Sequence, residues 1–227
     1  KKIRTSLSAT TSTFQLNDWS NSTENGVEAR NKKSANTIED VRVQPQLEYA
    51  INEHHALTAG YSYKQHRVLF SEEDSNPNGP PRTEETDATA NLHALYASYR
   101  HKSGKRLVAN LGLRATHAAH LNQQFFDPSI SATFILSNTL YLKASTGQTH
   151  QFIRQQFPRD FDDFRLANQF WSLANTADEV LQGQQAMVGA MLQRGQWLVD
   201  VELYGRMVNG LAQPEQDATP GTTTSTG

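Results

Sequence analysis

"FDPSISATFILSNTLYLKASTGQTHQF", Phe126–Phe152, alternates apolar and polar residues on both sides of a Ser137–Asn138 turn. Successive side chains of a strand point to opposite faces, so this stretch predicts an antiparallel hairpin with two unlike surfaces. Phe126, Pro128, Ile130, Ala132, Phe134, Leu140 and Leu142 fall on one; Asp127, Ser129, Ser131, Lys143 and Ser145 fall on the other. Whether the apolar surface meets a protein core or a bilayer decides the fold.

The same period-2 rhythm runs through most of the chain and predicts nine strands: Lys2–Asn17, Ile38–Asn52, His55–Ser71, Ala88–Lys102, Lys105–His117, Phe125–Leu136, Thr139–Phe152, Glu179–Gln193 and Gln196–Leu211. Most exceed the roughly 5–6 residues of a soluble strand and reach the roughly 9–11 that cross a bilayer at a tilt. The connections alternate in size. Asp18–Thr37, Glu72–Asp87, Ala118–Gln124, Ile153–Asp178 and the segment from Ala212 are the longer kind, and Glu53–His54, Ser103–Gly104, Ser137–Asn138 and Arg194–Gly195 the shorter. Long loops on one rim and tight turns on the other are the parity of an outer-membrane barrel.

Splitting the strands by parity puts Leu57, Ala59, Leu111, Leu113, Ile130, Leu140, Leu142, Val199 and Val201 on a surface predicted to face lipid. Arg42, Glu48, Lys64, Arg114, Lys143, Glu202 and Arg206 fall on the surface predicted to face a polar lumen. A soluble sandwich gives the same alternation, and aromatic placement separates the two. Tyr49, Tyr99, Phe134 and Trp197 lie on the apolar parity beside short turns, and Tyr61, Tyr63, Phe126 and Phe152 toward longer loops, matching the two girdles of a transmembrane barrel. Pro45 shares the apolar parity and lacks a ladder donor, which predicts a place near a rim or a bulge.

Composition narrows the function. With 21 basic and 23 acidic residues the chain carries no charge bias toward nucleic acid, and with no cysteine it has no disulfide, thiolate metal site or thiol nucleophile. A mean hydropathy of −0.64 suits polar loops on one-sided strands. "KKIRTSLSATTSTF" at Lys1–Phe14 has no apolar core of a signal peptide.

The run "RLVANLGLRATHAAHLNQQFFDPSISATFILSNTLYLKASTGQTHQFI", Arg106–Ile153, resembles the barrel of TonB-dependent outer-membrane receptors in its G-L-R strand, F-x-P-x-x-S-type strand and L-x-L-K-A-S-x-G strand. The likeness continues through "NQFWSLANTADEVLQGQQAMVGAMLQRGQWLVDVELYGRMVNGL", Asn168–Leu211, and covers the chain from about Val43. Such receptors are implied to form barrels of roughly 22 strands, plugged by an N-terminal domain. They import siderophores, cobalamin, haem or oligosaccharides through TonB. The resemblance implies that residues 1–227 are an internal part of an all-β, antiparallel, up-and-down transmembrane barrel of a Gram-negative outer membrane, with the plug and remaining strands outside them. Its expected partners are outer-membrane lipid, TonB through the missing N-terminal part, a small-molecule or oligosaccharide ligand and a surface lipoprotein. The Bacteroidetes receptors resemble it most.

No nucleophile elbow, phosphate loop or dinucleotide fingerprint occurs, so neither catalytic residues nor a cofactor are expected. His117 and His120 point apart on a strand and cannot share a metal, and the loop acids read as solvated, so no metal site is expected either. The predicted ligand contacts are Phe157, Phe161, Phe164, Phe170 and Trp171 of the longest internal loop, whose rings suit a sugar or a flat chelate. Two rival readings remain open at this point: a plugless passive outer-membrane channel, and a soluble carbohydrate-binding β-sandwich.

Overall fold

The computed structural model describes residues 2–24, 27–75, 80–156 and 170–211. The order is β1 (Lys2–Glu24), β2 (Val27–Ala50), β3 (His55–Ser75), β4 (Arg82–Ser103), β5 (Leu107–Ala118), β6 (Gln123–Ile135), β7 (Leu140–Gln151), β8 (Ile153–Gln156), β9 (Phe170–Leu173), β10 (Leu181–Arg194) and β11 (Trp197–Asn209). A 3-10 turn at Ala177–Glu179 precedes β10. Nine of the strands form one antiparallel meander, β1-β2-β3-β4-β5-β6-β7-β10-β11, and β8 pairs with β9 in a separate hairpin. The nine expected strands and the all-β antiparallel class are those observed. The sheet is open, with β1 and β11 each paired on one side among the described residues.

The tight turns reflect local chemistry. Gly104 and Gly195 adopt φ of 55° and 61°, the left-handed region that glycine enters without a Cβ penalty. At Leu136–Thr139 the Ser137 hydroxyl accepts from the Thr139 and Leu140 amides at 3.2 and 3.1 Å.

Three expectations need correction. Asp18–Thr37 and Glu72–Asp87 are largely strand among the described residues: β1 pairs with β2 out to Glu24↔Val27 and β3 with β4 out to Asp74↔Arg82, and the four strands run 23, 24, 21 and 22 residues. Ladder hydrogen bonds need no apolar alternation, and an inner row in which Phe14, Ile38, Val68 and Ala88 follow one another in register supports the extension. Ile153–Asp178 is also not simple loop, since it contains the β8–β9 hairpin. Pro45 lies neither at a rim nor at a register shift. It sits mid-strand, where the β2–β3 ladder lapses between Val43↔Tyr63 and Gln46↔Gly60 with register retained, as the missing proline N–H requires.

The β8–β9 hairpin covers one surface of the meander and leaves the other bare. Ile153 and Leu173 pack on Val68 and Ala90, and beside them Phe152, Ala174 and Val180 pack on Leu92 and Ala118. The bare surface exposes large apolar side chains across the sheet, among them Leu113 at 51 % and Val201 at 64 %. Burial is therefore concentrated under one inward-folded segment, where it positions the candidate site.

Candidate functional site

The polar residues of one parity converge on the covered surface. Arg42, Lys64 and Arg114 line a single cleft of about 740 Å³ with Asp40, His66, Asp127, His150 and Trp171. Asp40 accepts from the His66 ring and lies 3.6 Å from Lys64 Nζ, and Asp127 lies 2.6 Å from His150 Nδ1. Arg42 donates to Gln44, whose amide donates at 2.7 Å to Tyr96 Oη, and Tyr96 donates onward to Gln46 at 3.0 Å. Arg114 donates to Thr116 at 3.4 Å. The two carboxylates are held by His66, Lys64 and His150. Arg42 and Arg114 hydrogen-bond to neutral groups, with Asp127 opposite Arg114 in register, so the cleft presents two guanidinium groups to whatever enters it.

The other predicted polar residues sit elsewhere on the same surface. Lys143 Nζ donates to Asp200 and Glu202, each at 2.7 Å. Glu48 lies between Arg100 at 3.6 Å and Arg4 at 3.9 Å. Arg206 lies over Gly183, where an added Cβ would come within 3.5 Å of its guanidinium.

Of the five aromatic residues expected to contact ligand, Phe157, Phe161 and Phe164 lie outside the described residues. Phe170 stacks on Phe70 with ring centroids 4.5 Å apart. Trp171 is tied by its backbone to Asn36, and both rings border a second cleft of about 610 Å³ lined also by Lys32, Glu72 and Gln156. Arg154 of β8 lies 2.7 Å from Glu179, which fastens β8 to the 3-10 turn that follows the hairpin.

Phe152 corrects the expected outer girdle. Its ring is 5 % exposed on the covered surface, against Leu92 and edge-on to Phe125, because the chain leaves β7 there and turns into the hairpin. Asn36, Asp40 and His150 were not singled out from sequence. Parity places Asp40 on the Arg42 surface, while Asn36 sits in a polar stretch with no signal of its own. Among the described residues no group of three or more His, Asp or Glu side chains is placed to hold a metal ion.

A family model described as "TonB dependent receptor-like, beta-barrel" matches residues 2–223. The chain belongs to that family. TonB-dependent receptor barrels occupy the Gram-negative outer membrane and serve as transport receptors. Solved structures are similar to this chain at low identity. The ferric yersiniabactin uptake receptor FyuA from Yersinia pestis matches with a TM-score of 0.58 and 9% identity, over 92% of this chain and 33% of that one. The FpvAI–pyocin S2 complex matches at 0.50 and 12%, over 78% and 26%. The RagAB peptide importer matches at 0.49 and 14%, over 92% and 28%. The chain thus spans about a third or less of each of these three matched chains. No curated protein matches it by sequence.

Proposed function

We propose that this barrel segment forms part of the wall of an outer-membrane import receptor that takes up a scarce ligand, such as a siderophore, cobalamin, haem or an oligosaccharide, with energy delivered by TonB to the parent protein. One observation carries the reading: an external hairpin folds inward over a charged surface and brings Trp171 to the edge of the cleft lined by Arg42, Lys64 and Arg114, and Phe170 with Trp171 to the edge of a second cleft that holds Lys32. Aromatic faces beside fixed cations suit a ligand that is both flat and polar.

In this reading the covered surface lines the lumen, and Leu57, Ala59, Leu111, Leu113, Ile130, Leu140, Leu142, Val199 and Val201 face lipid. The plug, the TonB contact and a surface lipoprotein belong to the parent assembly. Binding and transport, not catalysis, are the chemistry assigned to these side chains.

The test is to delete the gene in its host and follow depletion of ferric siderophores, cobalamin, haem and oligosaccharides from the medium, with and without a protonophore. The expected result is that one ligand class is depleted by the wild type only without the protonophore, and that the deletion strain loses that depletion. Unchanged depletion of all four in the deletion strain would overturn the reading. Gene-dependent depletion that survives the protonophore would replace it with a passive channel.

A further inference from the structure

We propose that the cleft between β9 and the extended ends of β2, β3 and β4 binds a neutral oligosaccharide at the external mouth of the lumen. The inference rests on the reading of the segment as the wall of an import receptor, and chooses among the ligand classes that the reading leaves open.

The level of this cleft follows from the other side of the same strands. On the bare surface Arg67 pairs with Asp87 at 2.7 Å and with Glu39 at 3.6 Å, and Lys33 stands opposite Glu73 in register. Outward-facing charges of this kind have left the hydrocarbon, so β3 lies beyond it from Arg67 onward. Val68, Phe70 and Glu72 alternate with these residues and face the hairpin instead, where they line the cleft of about 610 Å³. A ligand arriving from outside meets it before the deeper cleft that holds Arg42 and Arg114.

Its walls are of two kinds. Phe70 and Phe170 stack at 4.5 Å with 25° between planes, and Trp171 borders the cleft beside them. Half-buried rings supply a flat apolar surface for the C–H face of a sugar. The polar wall has its cations already engaged: Lys32 is spent on Glu72 at 2.8 Å, and Arg82 stands opposite Asp74 in the next row. Glu84, opposite Glu72 in register, and Thr86 make no hydrogen bond or ion pair among the described residues. What remains for a ligand is a carboxylate that only accepts and a hydroxyl that both donates and accepts, with the side chains of Gln156 and Asn175 nearby. A sugar ring offers both donors and acceptors around an apolar face.

The other ligand classes fit this cleft less well. The carboxylates or catecholates of a ferric chelate, the propionates of haem and the phosphodiester of cobalamin would each bring negative charge to a wall whose unengaged charge is Glu84, and like charges at close range are costly. Among the described lining residues there is also no His, Tyr or Met side chain to reach a haem iron. A neutral sugar meets neither objection.

The test uses the full-length receptor in detergent, applied to an array of neutral oligosaccharides of glucose, xylose, mannose and galactose, with ferric citrate and haemin as comparison ligands. The wild type should bind at least one of the sugars and neither comparison ligand. In titration calorimetry with that sugar, Glu84→Gln should weaken binding by about tenfold, the loss of a hydrogen bond to a charged group. Phe170→Ala should weaken it by about tenfold through loss of stacking area, while Trp197→Ala on the bare surface leaves it unchanged. Binding of ferric citrate or haemin in place of every sugar, no binding of any sugar, or sugar binding that either cleft variant leaves unchanged overturns the proposal. The import reading fails on a different result, unchanged depletion of all four ligand classes by the deletion strain.

Discussion

Asn36 and Trp171 bind each other twice across 135 residues of sequence: the Trp171 amide donates to Asn36 Oδ1 at 2.7 Å, and Asn36 Nδ2 donates to the Trp171 carbonyl at 3.1 Å. The same Nδ2 donates to the Leu69 carbonyl at 3.1 Å, so one buried side chain fastens β9 to the β2–β3 wall. Asn36→Ala would leave those backbone groups without partners in a site shielded from water. We expect the hairpin's docking to weaken by about 1–3 kcal/mol, read as faster amide exchange at Phe170–Leu173 with little change in β10 and β11. Unchanged exchange at Trp171 would show that the apolar contacts suffice.

Neighbouring substitutions test the two faces. Leu142→Arg puts a charge on the bare surface at mid-strand and should cost about 2–4 kcal/mol of barrel stability in lipid. Lys143→Gln on the covered surface removes two bonds to Asp200 and Glu202, which stay partly hydrated, and should leave barrel stability almost unchanged. Folding titrations of the full-length protein into lipid would settle it, and equal costs would refute the face assignment.

Gly60 lies where β3 passes closest to a side chain of β4. A Cβ built there would come within 2.3 Å of Tyr96 Oη and 2.8 Å of the Pro45 carbonyl. The first neighbour can swing away; the second is backbone. Gly60→Val is therefore expected to cost about 1–3 kcal/mol and to displace Tyr96 from Gln44 and Gln46, visible as a shift of the Tyr96 resonances. Gly205→Val, with open space around it, is the control.

His120, in the turn after β5, donates from Nε2 to the Ala174 carbonyl at 3.2 Å. Burial holds its ring below the usual imidazole range, opposed by that hydrogen bond. The folded state thus favours neutral His120. Its contribution is present above the ordinary value of about 6.5 and is lost as pH falls through the depressed folded value. Amide exchange at Leu173–Asn175 should quicken with acidification below about pH 6.5, and His120→Gln should flatten that dependence. A dependence that persists unchanged in the variant would rule out His120 as its source.

Much of the meander was legible because one face of each strand had to be apolar. Alternation such as Leu107, Ala109, Leu111 and Leu113 gave both the strand and its orientation, and the small turns announced themselves through Ser-Gly, Ser-Asn and Arg-Gly. The upper halves of β1 to β4 were not legible. In the proposed membrane setting the outer surface at these ends lies beyond the bilayer, so nothing forces the alternation on which the reading depended, although the ladder continues. The β8–β9 hairpin was hidden for a related reason: each of its strands is four residues long, too short for any period to emerge. The charged cleft was half visible, since parity grouped Arg42, Lys64 and Arg114. The roles of Asn36 and His150 depend on contacts with distant segments that no local pattern encodes.

The strand order carries a consequence for how such a wall is assembled. Every neighbour in the nine-stranded sheet is also the next strand in the chain, save β7 and β10. A growing sheet can therefore zip hairpin by hairpin, each step closing a short loop at small entropic cost. The interruption comes after Gln151, where the chain must first detour through β8 and β9 before Leu181 returns to pair with it. That single junction is the natural place for assembly to pause, and it lies next to the segment that covers the charged surface.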